Sequence, residues 1–183
     1  GEFNSPERKA FILMRSDYDM ETVGEYFDNM TYCKGTVIID LNGFTLNSRD
    51  SAVMIRAYAK NSAYPSEIIW RNGSIVIENS TLMAYQAQKA AAEGKKFIFR
   101  YEDIKFKVEG ASTAFFAKYL GVHSSLSGDI KYYSDVYLNN CEIDLTKATA
   151  ENILLFDLGD SCTSTNVTLD GVKIISNNGA FSL

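Results

Sequence analysis

The sequence predicts an all-β protein: a single-stranded parallel β-helix of about five coils, each about 30 residues long, with an N-terminal amphipathic helix as cap. Three observations predict it. A strand–turn–strand pattern recurs down the chain at a nearly constant period, the signature of a stacked repeat. Matched positions of successive repeats are apolar. Each repeat is followed by another short apolar stretch that supplies a third strand. One such coil cannot bury its inward side chains alone, whereas a stack buries a continuous core.

The 183 residues are 46% apolar and 22% charged, which suits one globular domain with a real core. The net charge of −5 argues against a nucleic-acid or anionic-membrane surface. No apolar run reaches the length of a membrane-spanning helix, so no membrane insertion is expected.

The elements follow in order. Residues 1–5 read as a cloning remnant and are set aside, so the want of a leader peptide carries no information. Residues 6–34 form an N-terminal segment in which 19–30 put Met20, Val23, Phe27 and Met30 on one helical face, with Asp17 or Asp19 as cap. This helix is expected to lie on the first coil. Residues 35–183 form the β-helix. Turn residues Gly43, Gly73, Asp103, Asn140 and Gly171 mark its corners, where a left-handed backbone is needed.

Two inward columns follow from that alignment: Ile39, Ile69, Phe99, Val136, Val167, and Leu46, Val76, Phe106, Ile143, Ile174. A third reads Leu41, Arg71, Tyr101, Leu138, Leu169. Arg71 breaks it, through a register slip or as a paired buried arginine. Asn42, Asn72 and Asn139 line up as an amide ladder. Third strands fall at 53–55, 82–85, 115–117, 153–156 and 180–181. Residues 82–93 also read as a short Ala-rich helix stopped by Gly94, and 121–128 as an inserted loop. Cys33, Cys141 and Cys162 are odd in number and lack C-x-x-C spacing, which argues against a disulfide framework or a zinc site; Cys141 belongs to the core. The last residues are apolar and bring no cover. Either more coils follow them or the exposed C-terminal coil self-associates.

The phrase Gly35-Thr36-Val37-Ile38-Ile39-Asp40-Leu41-Asn42-Gly43-Phe44-Thr45-Leu46, with its evenly spaced Asn-Gly and Asp-Gly corners, resembles the right-handed parallel β-helix superfamily, the pectate-lyase-like fold. Its wording is similar to β-helix regions of bacterial secreted or surface proteins. The resemblance covers roughly residues 35–183. It implies a secreted or cell-surface location. It does not choose among lyases, glycosidases, tailspikes and adhesins, because fold alone does not set function.

The outward columns carry the residues available for chemistry. One reads Asp40, Trp70, Arg100, Tyr137, Thr168. Aromatic faces stack on sugar C–H surfaces, and Asp and Arg hydrogen-bond hydroxyl or uronate groups, so Asp40, Trp70, Arg100 and Tyr137 are the candidate ligand-binding residues. The neighbouring column, Thr45, Ile75, Lys105, Glu142, Lys173, reads as a surface ion-pair stripe. A glycosidase needs two carboxylates across one cleft, and none pair here. The sole histidine, His123, lies in the inserted loop. No cofactor is expected. A calcium ion is the one candidate, with Asp157 and Asp160 the nearest carboxylates, although solvated turn positions explain these better. The expected function is a non-catalytic extracellular or cell-surface module that binds polysaccharide or another surface. The alternatives are a polysaccharide lyase or hydrolase fragment acting on an acidic glycan, with Arg100 as base, and a structural spacer that oligomerises.

Overall fold

Alternating apolar and polar residues build strands, and sharp polar corners join them. The computed structural model describes residues 9–20, 35–50, 53–56, 66–86, 96–120, 133–157, 164–177 and 181–183. Their strands are β1 (Lys9–Leu13), β2 (Tyr18–Asp19), β3 (Thr36–Asp40), β4 (Thr45–Asn47), β5 (Val53–Arg56), β6 (Glu67–Glu78), β7 (Leu82–Gln86), β8 (Lys96–Gly110), β9 (Ala114–Leu120), β10 (Tyr133–Asn139), β11 (Glu142–Ala148), β12 (Ile153–Asp157), β13 (Ser164–Asp170), β14 (Lys173–Ile175) and β15 (Phe181–Ser182). Among the described residues every pairing is parallel. One face stacks β1-β3-β6-β8-β10-β13. A second stacks β2 and β4 on the later half of β6, then the later half of β8, β11 and β14. The third stacks β5-β7-β9-β12-β15. The chain is thus a parallel β-solenoid, as the repeat predicts.

The coil count differs from the expected one. Three turns, those of β6–β7, β8–β9 and β10–β12, use longer strands, up to 15 residues in β8. The end coils are abbreviated, with two residues in β15 and two in β2. About three full turns therefore stand in place of five equal coils. At the N-terminal end the described residues show no helix: of the expected 19–30 helix only Asp19 and Met20 are described, and Asp19 ends β2. β1 pairs with β3, and the Met20 amide donates to the Asn47 carbonyl at 2.9 Å. Ahead of it, Ala10, Ile12 and Met14 alternate inward and pack on the core, as strand residues do. The stack therefore starts before residue 35. Residues 21–30 of the expected helix lie outside the described residues, as do 87–93 of the second; 82–86 of the latter are strand.

The register of the second coil also departs from the expected alignment. Asp40 pairs with Arg71 and Ile39 with Trp70, not Asp40 with Trp70. The physical cause is an extra turn in the first corner. Asp40 and Thr45 are separated by four residues, Leu41-Asn42-Gly43-Phe44, where Arg71 and Ser74 are separated by two, Asn72-Gly73. The Phe44 amide closes the extra turn on the Leu41 carbonyl at 2.8 Å, and both Asn42 (φ 52°) and Gly43 (φ 81°) are left-handed. Leu41 drops into the core above the next corner, where a Cβ on Gly73 would stand 2.5 Å from the Leu41 Cβ and 2.6 Å from the Phe44 carbonyl oxygen. The equivalent left-handed residues of the later corners are Asn72, Asp103, Asn140 and Gly171. The amide ladder passes through Asn140 rather than Asn139: the Asn72 amide reaches Asp40, and the Asn140 amide reaches Asp103 at 2.6 Å.

With that slip the columns become consistent. Val37, Ile68, Phe99, Val136 and Val167 share one; Ile39, Trp70, Tyr101, Leu138 and Leu169 another; Leu46, Ile75, Phe106, Ile143 and Ile174 a third. Ile69 and Val76 are not fully buried, and Arg71 points outward; Trp70 takes the inward place that Arg71 seemed to occupy. Between the sheets, Phe106 meets Phe115 edge-on at 4.9 Å and Tyr101 meets Phe116 at 6.2 Å. Each fully buried Phe or Ile stabilises the stack by roughly 1.5–3 kcal/mol. Cys141 is buried as expected, and burial pushes its thiol up against the opposing effect of backbone hydrogen bonds.

Candidate functional site

A parallel sheet sets equivalent outward side chains in straight rows, one rung about 4.8 Å from the next. On the face of β1, β3, β6, β8, β10 and β13, one row runs Phe11, Ile38, Ile69, Arg100, Tyr137, Thr168. A row on one side of it runs Leu13, Asp40, Arg71, Glu102, Asn139, Asp170, and one on the other side Lys9, Thr36, Glu67, Ile98, Asp135, Asn166.

The candidate residues separate on this face. Arg100 and Tyr137 are neighbours in one row, as expected. Asp40 sits in the adjacent row, two rungs (about 10 Å) away along the stack. Trp70 does not belong to the face at all. It points inward at 1% exposure, so its ring offers no platform to a ligand. The reason is the extra turn at Leu41–Phe44, which moves the second coil by one residue and so turns every side chain on it to the opposite side.

Two polar clusters result. In the first, the Asp40 carboxylate accepts from the Asn42 amide at 2.9 Å, from Arg71 Nε at 2.9 Å and from Asn72 Nδ2 at 3.2 Å. Burial alone pushes the Asp40 carboxyl up, but these donors together outweigh it and hold the group below its ordinary range. The Arg71 guanidinium also lies over the Phe11 ring, 5.6 Å from its centre. In the second cluster, Arg100 Nε donates to Glu67 at 2.9 Å, and the guanidinium stacks on Tyr137 at 4.4 Å. The Thr36 hydroxyl donates to the other Glu67 oxygen at 3.1 Å. Both arginine side chains remain about a third exposed, at 35% and 34%. Beside them Lys96 and Asn166 hold Asp135 ionised, with Lys96 Nζ at 2.7 Å.

The face therefore carries two guanidinium groups, each about a third exposed, each held by a carboxylate and set against an aromatic ring, with Ile38 and Ile69 beside them. Sequence reasoning missed Glu67 and Arg71 as members. The signal lay in Arg71 itself, since an arginine in an apolar column marks a misaligned repeat.

The neighbouring row on the second face is Thr45, Ser74, Lys105, Glu142, Lys173, with Ser74 rather than Ile75 outward. Between the two faces an open groove of about 300 Å³ follows the corner past Asp103, Asn140 and Gly171. Its charges alternate along the edge: Lys173 stands 3.9 Å from Glu142. Among the described residues no three His, Cys, Asp or Glu side chains gather to hold a metal. His123 and Asp160 lie outside the described residues. Comparison with protein-family models, with curated proteins and with solved structures finds no match.

Proposed function

We propose that this chain is a non-catalytic extracellular or cell-surface module that binds a polysaccharide along its first face. The observation that carries the reading is the Glu67–Arg100–Tyr137 cluster: a guanidinium held at 2.9 Å by one carboxylate and at 4.4 Å by one ring, on the first strand face. Such a group is pre-organised, so little side-chain freedom is lost on binding. Its unused N–H groups can donate to hydroxyl or uronate oxygens, and the apolar Ile38 and Ile69 offer a surface to sugar C–H groups. Repeat rows along the stack suit a polymer better than a small molecule. The right-handed winding and kinship with the pectate-lyase-like superfamily belong to this reading; parallel strand-to-strand crossovers favour that hand.

Catalysis is the weaker alternative. Asp40, Asp135 and Asp144 are all held below the ordinary carboxylate range, Asp144 by the Thr146 hydroxyl, which suits none of them to the role of a proton-donating acid. Arg100, the candidate lyase base, is pinned to Glu67.

The test is a glycan array followed by titration calorimetry on the best ligand. Arg100→Ala should weaken binding by about tenfold, the scale of one lost charged hydrogen bond. Lys147→Ala, on the second face beside Glu109, should leave it unchanged. Binding indifferent to Arg100→Ala would refute the reading. Release of an unsaturated or newly reducing sugar would replace it with the enzymatic one.

A further inference from the structure

We propose that this chain associates head to tail with a second copy of itself, the last coil of one molecule stacking on β1 and β2 of the next. Among the described residues, β1 and β13 are the two edges of the first sheet, so each offers one unpaired side of a strand. Among the described residues, both ends also leave inward positions partly exposed. Leu169 is 41% exposed, although its counterparts Trp70, Tyr101 and Leu138 are buried. Val167 and Ile174 are only partly buried. At the other end Ala10 and Ile12 are likewise partly covered, and Phe11 and Leu13 are exposed on the same strand.

The two ends match in register. Ala10 and Val167 terminate the same inward column, and Ile12 and Leu169 terminate the next. A second copy shifted along the stack by one more rung therefore places apolar on apolar, with parallel strands throughout. Charge agrees. The outward column that ends in Lys173 begins one rung before Thr45, at Asp17, whose Oδ1 accepts from the Thr45 amide at 2.8 Å. Head-to-tail stacking sets Lys173 against Asp17 of the next molecule. Lys173 is free to turn there, since its side chain is 70% exposed and its contact with Glu142 is long. A tail-to-tail dimer would bring no Asp17 to Lys173. Two different end surfaces meeting without closure generate an open array rather than a dimer.

Sedimentation velocity from low micromolar to near-millimolar protein tests this. The expected result is a mean mass that rises with concentration and passes beyond the dimer. Lys173→Asp and Asp17→Lys should each weaken association about 2–5-fold, the worth of an exposed ion pair, and the double swap should restore it. Leu169→Asp should weaken it at least about tenfold by placing a charge in the apolar contact. Because Leu169 is exposed in the single molecule, an unchanged circular dichroism spectrum is expected for that variant. A monomer at every concentration, a species that stops at the dimer, or association indifferent to both Leu169→Asp and the charge swaps would overturn the proposal.

Discussion

The middle and the end of the solenoid use the same side-chain types in the same columns, yet they bury them differently. Trp70, Tyr101 and Leu138 sit between coils above and below and are sealed, whereas Leu169 continues their column and is exposed. Val136 and Val167 differ in the same direction. Burial in a stacked repeat is thus supplied by neighbours rather than by the coil itself. A column position is a permission to be buried, and the adjacent rung decides whether it is used.

Substitutions should expose that difference. Trp70→Ala removes the largest sealed side chain and should cost about 3–5 kcal/mol in denaturant unfolding, the range for a large-to-small change in a closed core. Leu169→Ala in the same column should cost under about 1 kcal/mol, measured at a protein concentration where the chain is single. Equal losses would dissolve the contrast between middle and end. A smaller effect tests the corner that sets the register. Gly73→Ala pushes a methyl against the Leu41 side chain and the Phe44 carbonyl, and overpacking of this kind costs about 1–3 kcal/mol. No loss there would mean that the first corner does not rest on the second.

The mildest effect appears only in acid. The Asp40 and Asp135 carboxyls are held below their ordinary value of 3.8 in the folded chain. The unfolded chain then binds protons more readily, so the stability they add is present above about pH 4 and is lost as pH falls through the folded values. Asp135 loses the Lys96 and Asn166 contacts on protonation, and Asp40 those of Arg71, Asn72 and the Asn42 amide. Unfolding free energy should therefore be flat from pH 7 to 5 and decline below pH 4. Asp40→Asn should shallow that decline; an unchanged slope would remove Asp40 from the account.

Much of the architecture was legible because columns of Phe99, Val136, Val167 and of Phe106, Ile143, Ile174 stand out in the sequence and need only a constant corner to be read. The second coil was not, because Leu41 and Phe44 flank the Asn42-Gly43 pair as two additional residues. Matching one Asn-Gly to the next therefore shifts both strands by one. That error placed Trp70 outside and Arg71 inside. The candidate face was half legible for the same reason. Arg100 and Tyr137 fall in coils whose corners match, while Glu67 and Arg71 belong to the shifted coil. The N-terminal strand was hidden by shortness: five residues of alternation at Lys9–Leu13 compete with a longer helical pattern downstream.

The most direct test of the stacked, register-shifted architecture is cross-strand nuclear Overhauser contacts in isotopically labelled protein. The account predicts that the backbone of Arg71 lies beside Asp40 on one side and Glu102 on the other, and that Ile39 pairs with Trp70. Contacts joining Arg71 to Ser74 across an antiparallel hairpin at Asn72-Gly73 would contradict it.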